Sequence, residues 1–419
     1  MTVSIEPSKY GLYQPTKGGF PVRYGERVQI TTPELTLELD REGRIRYLTG
    51  RTREWPSPLE YLKRTDGDDW VYYSLGEYAD HLSLYGEYYL PCPDYPTNRP
   101  LGGEPFRRAP VIDALRTWPE ALREIRAQRA ALPSNLRPFV DRLAVNDPQL
   151  LAERARKLHD IIGSAIPVLP PDARHVDYDV VPLIVADGCR YGCSFCCVND
   201  GRGLVPRPMA AIRAQIQALK SWLGRQTGNV QGLFLGLHDA LSVKGDLLRR
   251  AAEEAHHRLG FDDSPFSRPQ LYLFGSVDSL LDAEDRLFEW LGAAPWSTFI
   301  NVGLESADGE TLRRLGKPLT PDRVEAGFRR MLDVNARWPN VEVTANFVFL
   351  SDDGRSDDAM LELMSRHLSR RSSRGTCYLS PLMSGATRPR MGRRPLLQRI
   401  HRLQRAAPLP LHLYLIQRL

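Results

Sequence analysis

Leu183–Gly203 reads "LIVADGCRYGCSFCCVNDGRG", and how it is read decides the fold. An unbroken aliphatic run gives way to a loop holding four of the chain's six cysteines. Near-continuous apolar strands are those buried on both faces, as in a parallel sheet covered by helices. In such sheets the chemistry sits in loops leaving the carboxyl ends of the strands. Cys189, Cys193 and Cys196 have the spacing CxxxCxxC, which lets one short loop aim three thiolates at a common point. Soft sulfur donors favour iron–sulfur or zinc over hard cations. A structural zinc site takes four protein ligands. Here Cys197 faces away from Cys196 if the chain is extended, and no histidine stands nearby. A cluster with one iron left open suits three thiolates, and closely spaced cysteines are ordinary cluster ligands. Zinc or plain buried thiols are the alternative.

Outward from this loop the rhythm is regular. Apolar strands "DVVPLIVADG", "VQGLFLGL", "QLYLFGSV", "STFINVGLES", "VEVTANFVFL" and "TCYLSPL" alternate with amphipathic stretches such as "PMAAIRAQIQALKSWLG" and "PDRVEAGFRRMLDVNARW". Strands separated by helices imply parallel pairing through right-handed crossovers. Six such units are too few for a closed eight-fold barrel. The expected fold is therefore α/β, a partial (β/α)6 barrel over residues 178–384.

Residues 1–105 read as a β-rich region. "RVQITTPELTLELDREGRIRYLTG" alternates apolar and polar residues on both sides of a turn, with Gly43 in a left-handed position. Twelve of the seventeen tyrosines lie before residue 96. They suit a half-buried sheet better than a binding or dimer surface. Residues 106–177 read as a helical connector, in which Asp147 caps a helix that begins at Pro148. Residues 385–419 read as a basic, helical extension.

Composition narrows the class. The chain of 419 residues is 42% apolar and 26% charged, as in globular proteins. No apolar run reaches the roughly 20 residues needed to span a bilayer. The first residues lack the basic start and apolar core of a secretion signal, and the expected compartment is the cytoplasm. Six cysteines make no disulfide scaffold. A formal charge of +5 falls short of a dedicated nucleic-acid binder.

"CRYGCSFC" resembles the signature of radical S-adenosylmethionine (radical SAM) enzymes, including Phe195 before the last cysteine. "NVGLESADGETLRRLGK" resembles the "GLES…L…K" block of the branch shared by the Elongator catalytic subunit and the methylthiotransferases. The resemblance implies a [4Fe–4S] cluster on Cys189, Cys193 and Cys196, with S-adenosylmethionine (SAM) on its open iron. It implies that Asp239, in "LFLGLHDAL", meets the methionine amino group, although Leu237, His238 and Ala240 replace the family's Gly, Gly and Pro. His238 reads as an ordinary loop residue. Glu305 and Ser306 would meet the ribose or the methionine carboxylate, Asn346 and Val348 the adenine, and Asp308 would cap the next helix. The implied chemistry is reductive cleavage of SAM to a 5′-deoxyadenosyl radical that takes hydrogen from a substrate. The electron would come from an external flavodoxin- or ferredoxin-type reductant. With no further cysteine cluster and no cobalamin motif, a single-cluster enzyme acting on a small molecule or peptide is expected. RNA modification and a non-catalytic metal or redox sensor are the other readings. Cys377, on the last expected strand, is a candidate hydrogen donor, though a buried thiol is the plainer reading.

Overall fold

The structure, a computed structural model, describes residues 4–10, 24–73, 89–90, 104–196, 201, 203–264, 266–350, 354–372, 374–382 and 393–419. Cys92, Cys197 and most of the tyrosine-rich stretch after Tyr73 lie outside the described residues.

The amino-terminal region is an antiparallel meander whose seven strands pair in chain order. They are β1 (Ser4–Tyr10), β2 (Gly25–Thr31), β3 (Leu35–Leu39), β4 (Ile45–Gly50), β5 (Tyr61–Arg64), β6 (Trp70–Tyr73) and β7 (Tyr89–Leu90). Gly43 takes φ +85° in the β3–β4 turn, as its position predicts. The Asp40 carboxylate accepts from the Glu42 and Arg44 amides there, at 2.8 and 3.0 Å. Two-residue alternation sorts the side chains. Leu48, Leu62 and Tyr72 face a core shared with Val111, Trp118 and Leu122 of helix α1 (Ala109–Ala127). Tyr47, Tyr61, Val71 and Tyr73 face the opposite way and join the main core of the molecule. Tyr47, Tyr61, Tyr72 and Tyr73 are thus packing residues with polar tips.

After α2 (Arg137–Arg142) comes α3 (Pro148–Ile162), capped as expected by the Asp147 side chain and ended by Gly163 at φ +75°. A short turn, Pro171–Val176, then enters the barrel. Its Asp172 is fully buried and accepts from Thr344 Oγ1 and the Tyr378 hydroxyl, both at 2.6 Å.

The second large sheet holds all six expected strands: β8 (Val180–Leu183), β11 (Gly232–Leu235), β12 (Gln270–Gly275), β13 (Ser297–Glu305), β14 (Val341–Phe349) and β15 (Cys377–Pro381). Every pairing is parallel. The strand order follows the chain order from edge to edge. A doubly wound sheet would reverse direction at a switch point; this sheet does not, so every crossover winds the same way and the sheet curls into a partial barrel. A small ribbon, β9 (Ala186–Asp187) with β10 (Val205–Pro206), stands beside the cysteine loop. The helices are α4 (Met209–Leu223), α5 (Gly245–Leu259), α6 (Val277–Asp282), α7 (Asp285–Ala293), α8 (Gly309–Arg314), α9 (Pro321–Arg337) and α10 (Gly354–His367).

The carboxyl-terminal stretch departs from the expected helical extension. It supplies helix α11 (Arg393–Ala406) and then β16 (Leu411–Leu413), a seventh barrel strand parallel to β15. Residues 414–419 continue past it and pair with the chain ahead of the barrel. Leu169 N donates to Gln417 O at 2.9 Å, and Leu419 N to Ile166 O at 3.2 Å. Main-chain hydrogen bonds thus join the end of the chain to the segment that precedes the barrel.

Candidate active site

The cysteine loop leaves the end of β8 through Gly188, at φ +75°. It is held through three of its residues, by the turn after α8 and by α6. The Ser194 amide and hydroxyl both donate to Leu315 O, at 3.2 and 2.8 Å. Arg190 pairs with Asp282 at 2.8 Å, and the Tyr191 hydroxyl donates to Asp278. Gly316, at φ +61°, lies so close that a Cβ there would come within 3.1 Å of Ser194 Oγ. The turn after α8 and the thiol loop therefore interlock.

Cys189, Cys193 and Cys196 all line one cavity of about 460 Å³ at the carboxyl end of the barrel. Among the described residues no three His, Cys, Asp or Glu side chains converge on the position of a single ion. The thiols open instead onto a space with room for a larger group. Burial pushes the Cys189 and Cys193 thiols above their ordinary range, and the Lys317 ammonium opposes this at both.

Glu305 faces the same cavity and is 6% exposed. Its backbone is left-handed, φ +64°, at an irregularity in the β13–β14 register. Its Oε1 lies 3.1 Å from Lys317 Nζ, and its Oε2 accepts from Asn346 Nδ2 at 3.3 Å. Asn346 Oδ1 in turn accepts from Ser380 Oγ at 2.7 Å. Lys317 Nζ lies 5.2 Å from the centre of the Tyr191 ring, so one ammonium joins the thiol loop to the carboxylate. Burial pulls the Lys317 ammonium down, but Glu305 and the thiols outweigh it and hold it above its ordinary value. Gly303 leaves this space clear, because a Cβ there would stand 2.3 Å from Glu305 Oε1. Val348 packs with Leu315 and Leu350, and Phe195 rests against them, giving an apolar shelf beside the third cysteine.

Two expected residues are placed differently. Ser306 follows Glu305 but faces away from the cavity: its hydroxyl lies 2.8 Å from Ser356 Oγ and accepts from the Asp308 amide at 3.0 Å. Cys377 is fully buried at the amino-terminal start of β15, with its thiol 3.8 Å from Gly375 O, whereas Ser380 and Pro381 at the other end line the cavity. It cannot reach a group held at the barrel mouth. Asp239 does line the cavity, yet its carboxylate already accepts from Ser276 N, Ser279 Oγ and Ser242 Oγ at 2.9, 2.6 and 2.6 Å. That ties the β11 and β12 loops together and leaves about one of a carboxylate's four acceptor sites. Asp308 caps α8, as expected, by accepting from Thr311 N at 2.7 Å. Lys317, Ser380 and Asn301 also line the cavity without having been singled out from sequence. Lys317 is the lysine that closes the "GLES…L…K" block, which was the available signal.

The donor set and the space suit a cluster and a nucleoside: three soft thiols on one loop, a clamped carboxylate, and an apolar shelf. Residues 183–364 match the family model of the radical SAM superfamily. That stretch is similar to the radical SAM superfamily, and the chain is an enzyme with a core similar to the methylthiotransferases. Members use a [4Fe–4S] cluster and SAM. The chain is 23% identical over 248 residues to the ribosomal protein uS12 methylthiotransferase RimO of Methylococcus capsulatus, covering 56% of this chain and 52% of that one. It is 20% identical over 277 residues to RimO of Pseudomonas paraeruginosa, covering 61% and 58%. It thus spans little more than half the length of these relatives. Among solved structures, a radical SAM methyltransferase from Sphaerobacter thermophilus aligns with TM-score 0.39 and 18% identity, over 56% of this chain and 65% of that one. No described helix is long and apolar enough to cross a membrane.

Proposed function

We propose that this protein is a single-cluster radical SAM enzyme that takes hydrogen from a small-molecule or peptide substrate. It works in the cytoplasm with a flavodoxin- or ferredoxin-type reductant. The observation that carries the reading is the shared cavity: three thiols of one loop, Glu305, Asn346, Asp239 and Val348 all face it. Cys189, Cys193 and Cys196 would hold the cluster. When bound, cluster and SAM together supply a one-electron cleavage that gives methionine and a 5′-deoxyadenosyl radical.

The chain's own residues bind and orient. Glu305 accepts from ribose hydroxyls, and its two oxygens are kept in place by Lys317 and Asn346. Its left-handed backbone is the kind of strain that a surrounding network must hold. Phe195 and Val348 cover the adenine. Asp239 sets the β11 loop, and its remaining acceptor site serves the amino group. Apolar walls exclude water, so that position decides which hydrogen is lost.

The test is anaerobic reconstitution followed by electron paramagnetic resonance, then addition of SAM and dithionite. A SAM-perturbed [4Fe–4S] signal and 5′-deoxyadenosine are expected. Zinc in place of iron, or a cluster indifferent to SAM, would make the protein a metal or redox sensor instead.

A further inference from the structure

Asn301 stands midway along β13, paired with Phe274 of β12 on one side and Thr344 of β14 on the other. It lines the cavity and is 3% exposed. It precedes Glu305 on the strand, so it lies roughly 13 Å deeper in the barrel, at about 3.3 Å per residue.

A chain of hydrogen bonds fixes which way its amide points. Asp172, fully buried, accepts from the Thr344 hydroxyl at 2.6 Å. That commits the only proton on Thr344 Oγ1, so toward Asn301 this hydroxyl can only accept. Asn301 Nδ2 donates to it at 3.0 Å. The amide nitrogen is therefore turned toward Thr344 and the oxygen away from it. Among the described residues no donor meets Asn301 Oδ1. A buried acceptor left without a donor carries the full cost of its desolvation. Phe274 and Pro171, the residue before Asp172, line the same cavity and bring no hydrogen-bonding side chain. A second chain ends alike nearer the mouth: Ser380 Oγ donates to Asn346 Oδ1, and Asn346 Nδ2 donates to Glu305. Ser380 pairs with Val348, on the side assigned to adenine, which leaves Asn301 for the substrate.

We propose that Asn301 Oδ1 is a substrate-recognition point that accepts from the inner end of the substrate, a hydroxyl or a primary amine, with an apolar part of the substrate against Phe274. The proposal rests on the reading of the cysteine side as the SAM site. It narrows the substrate to one whose inner end donates a hydrogen bond; an ether or a carboxylate there would set lone pair against lone pair. Thr344 and Asp172 are positioning residues, because they hold the amide in one of its two orientations.

The test uses anaerobically reconstituted enzyme with SAM and no reductant, titrated calorimetrically with hexan-1-ol, hexylamine and 1-methoxypentane. The ether is an isomer of the alcohol without a donor. At least one of the two donors binds about tenfold or more tightly than the ether, and which one does so tells a hydroxyl end from an amine end. Asn301→Leu brings alcohol, amine and ether together. Thr344→Val frees the amide to turn its nitrogen inward, so the ether gains on the donors. Equal binding of all three probes by the unaltered enzyme overturns the proposal, as does binding of none of them. An Asn301→Leu or Thr344→Val enzyme that keeps the full preference also overturns it. So does an Asn301→Leu enzyme that loses SAM affinity, because Asn301 would then serve the cofactor. Should Asn301→Leu fail to fold, the unaltered and Thr344→Val enzymes carry the test. Formation of 5′-deoxyadenosine by the same preparation is read separately, so failure of the radical SAM reading is distinguished from failure of this recognition point.

Discussion

Lys317 carries more of this site than its place at the end of a motif suggests. It neutralises the Glu305 carboxylate, and the Lys317 and Glu305 side chains are 6% and 8% exposed. Removing one member of a buried pair leaves the other charge uncompensated. Lys317→Met should lower unfolding stability by about 3–5 kcal/mol and abolish 5′-deoxyadenosine formation. The double variant Lys317→Met with Glu305→Gln should recover much of the stability and none of the activity. Equal losses in denaturant titrations of the single and double variants would refute the coupling. Gly316 gives a sharper local test. Alanine there meets both a left-handed backbone and Ser194, at about 1–2 kcal/mol for the backbone alone. Iron content after reconstitution should fall in Gly316→Ala while the far-ultraviolet spectrum is kept.

At the scale of elements, short caps set where the site's loops begin. The Asp308 carboxylate accepts from the Thr311 hydroxyl and amide, which hold it below the usual carboxylate range. A depressed folded value contributes stability above the unfolded value of about 3.9, and that stability is lost as pH falls through the folded value. Asp308→Ala should therefore cost about 1 kcal/mol at neutral pH, with the difference from wild type shrinking toward pH ~3. A difference that stays constant in acid would show that the cap is not ionic.

The same scale separates what the sequence discloses from what it hides. Buried parallel strands are continuous apolar runs, so β8 and β11 to β15 are legible, and the thiol spacing marks its own loop. Leu411–Leu413 has only three residues, and two prolines precede it. Its alternation is too short to outweigh the basic helix before it. The orientation of Glu305 and Ser306 is hidden for another reason. Neighbours on a strand face opposite ways, and an irregularity with a positive φ at a glutamate, which no residue pattern announces, decides which one reaches the cavity. Cys377 is on the right strand but at the wrong end of it, a distinction that parity cannot make.

For the whole molecule, the sheet and the barrel share one core. Tyr24, Tyr47, Tyr61 and Tyr73 pack among barrel residues. A charged layer lies at the seam: Lys63 Nζ is 2.8 Å from Asp179 Oδ1 and 3.3 Å from Asp177 Oδ2, the Tyr47 hydroxyl donates to Asp177, and Arg46 pairs with Asp179. Near-ultraviolet signals of the tyrosines and far-ultraviolet helical circular dichroism should then report a single unfolding transition. Lys63→Met should lower it by about 3–5 kcal/mol. Deletion of residues 1–105 should give an aggregating product, since it strips one face of that core; a soluble barrel that still binds iron would show the two regions to be separable.

Strand order also imposes an order in time. Each barrel unit can dock on its predecessor as the chain emerges from the ribosome, because neighbours in the sheet are neighbours in sequence. The final contact is different. Thr65 meets Leu419 across 354 positions, so it waits until synthesis has passed β16. A nascent chain stalled short of that strand would hold its thiol loop in a barrel still missing its last strand.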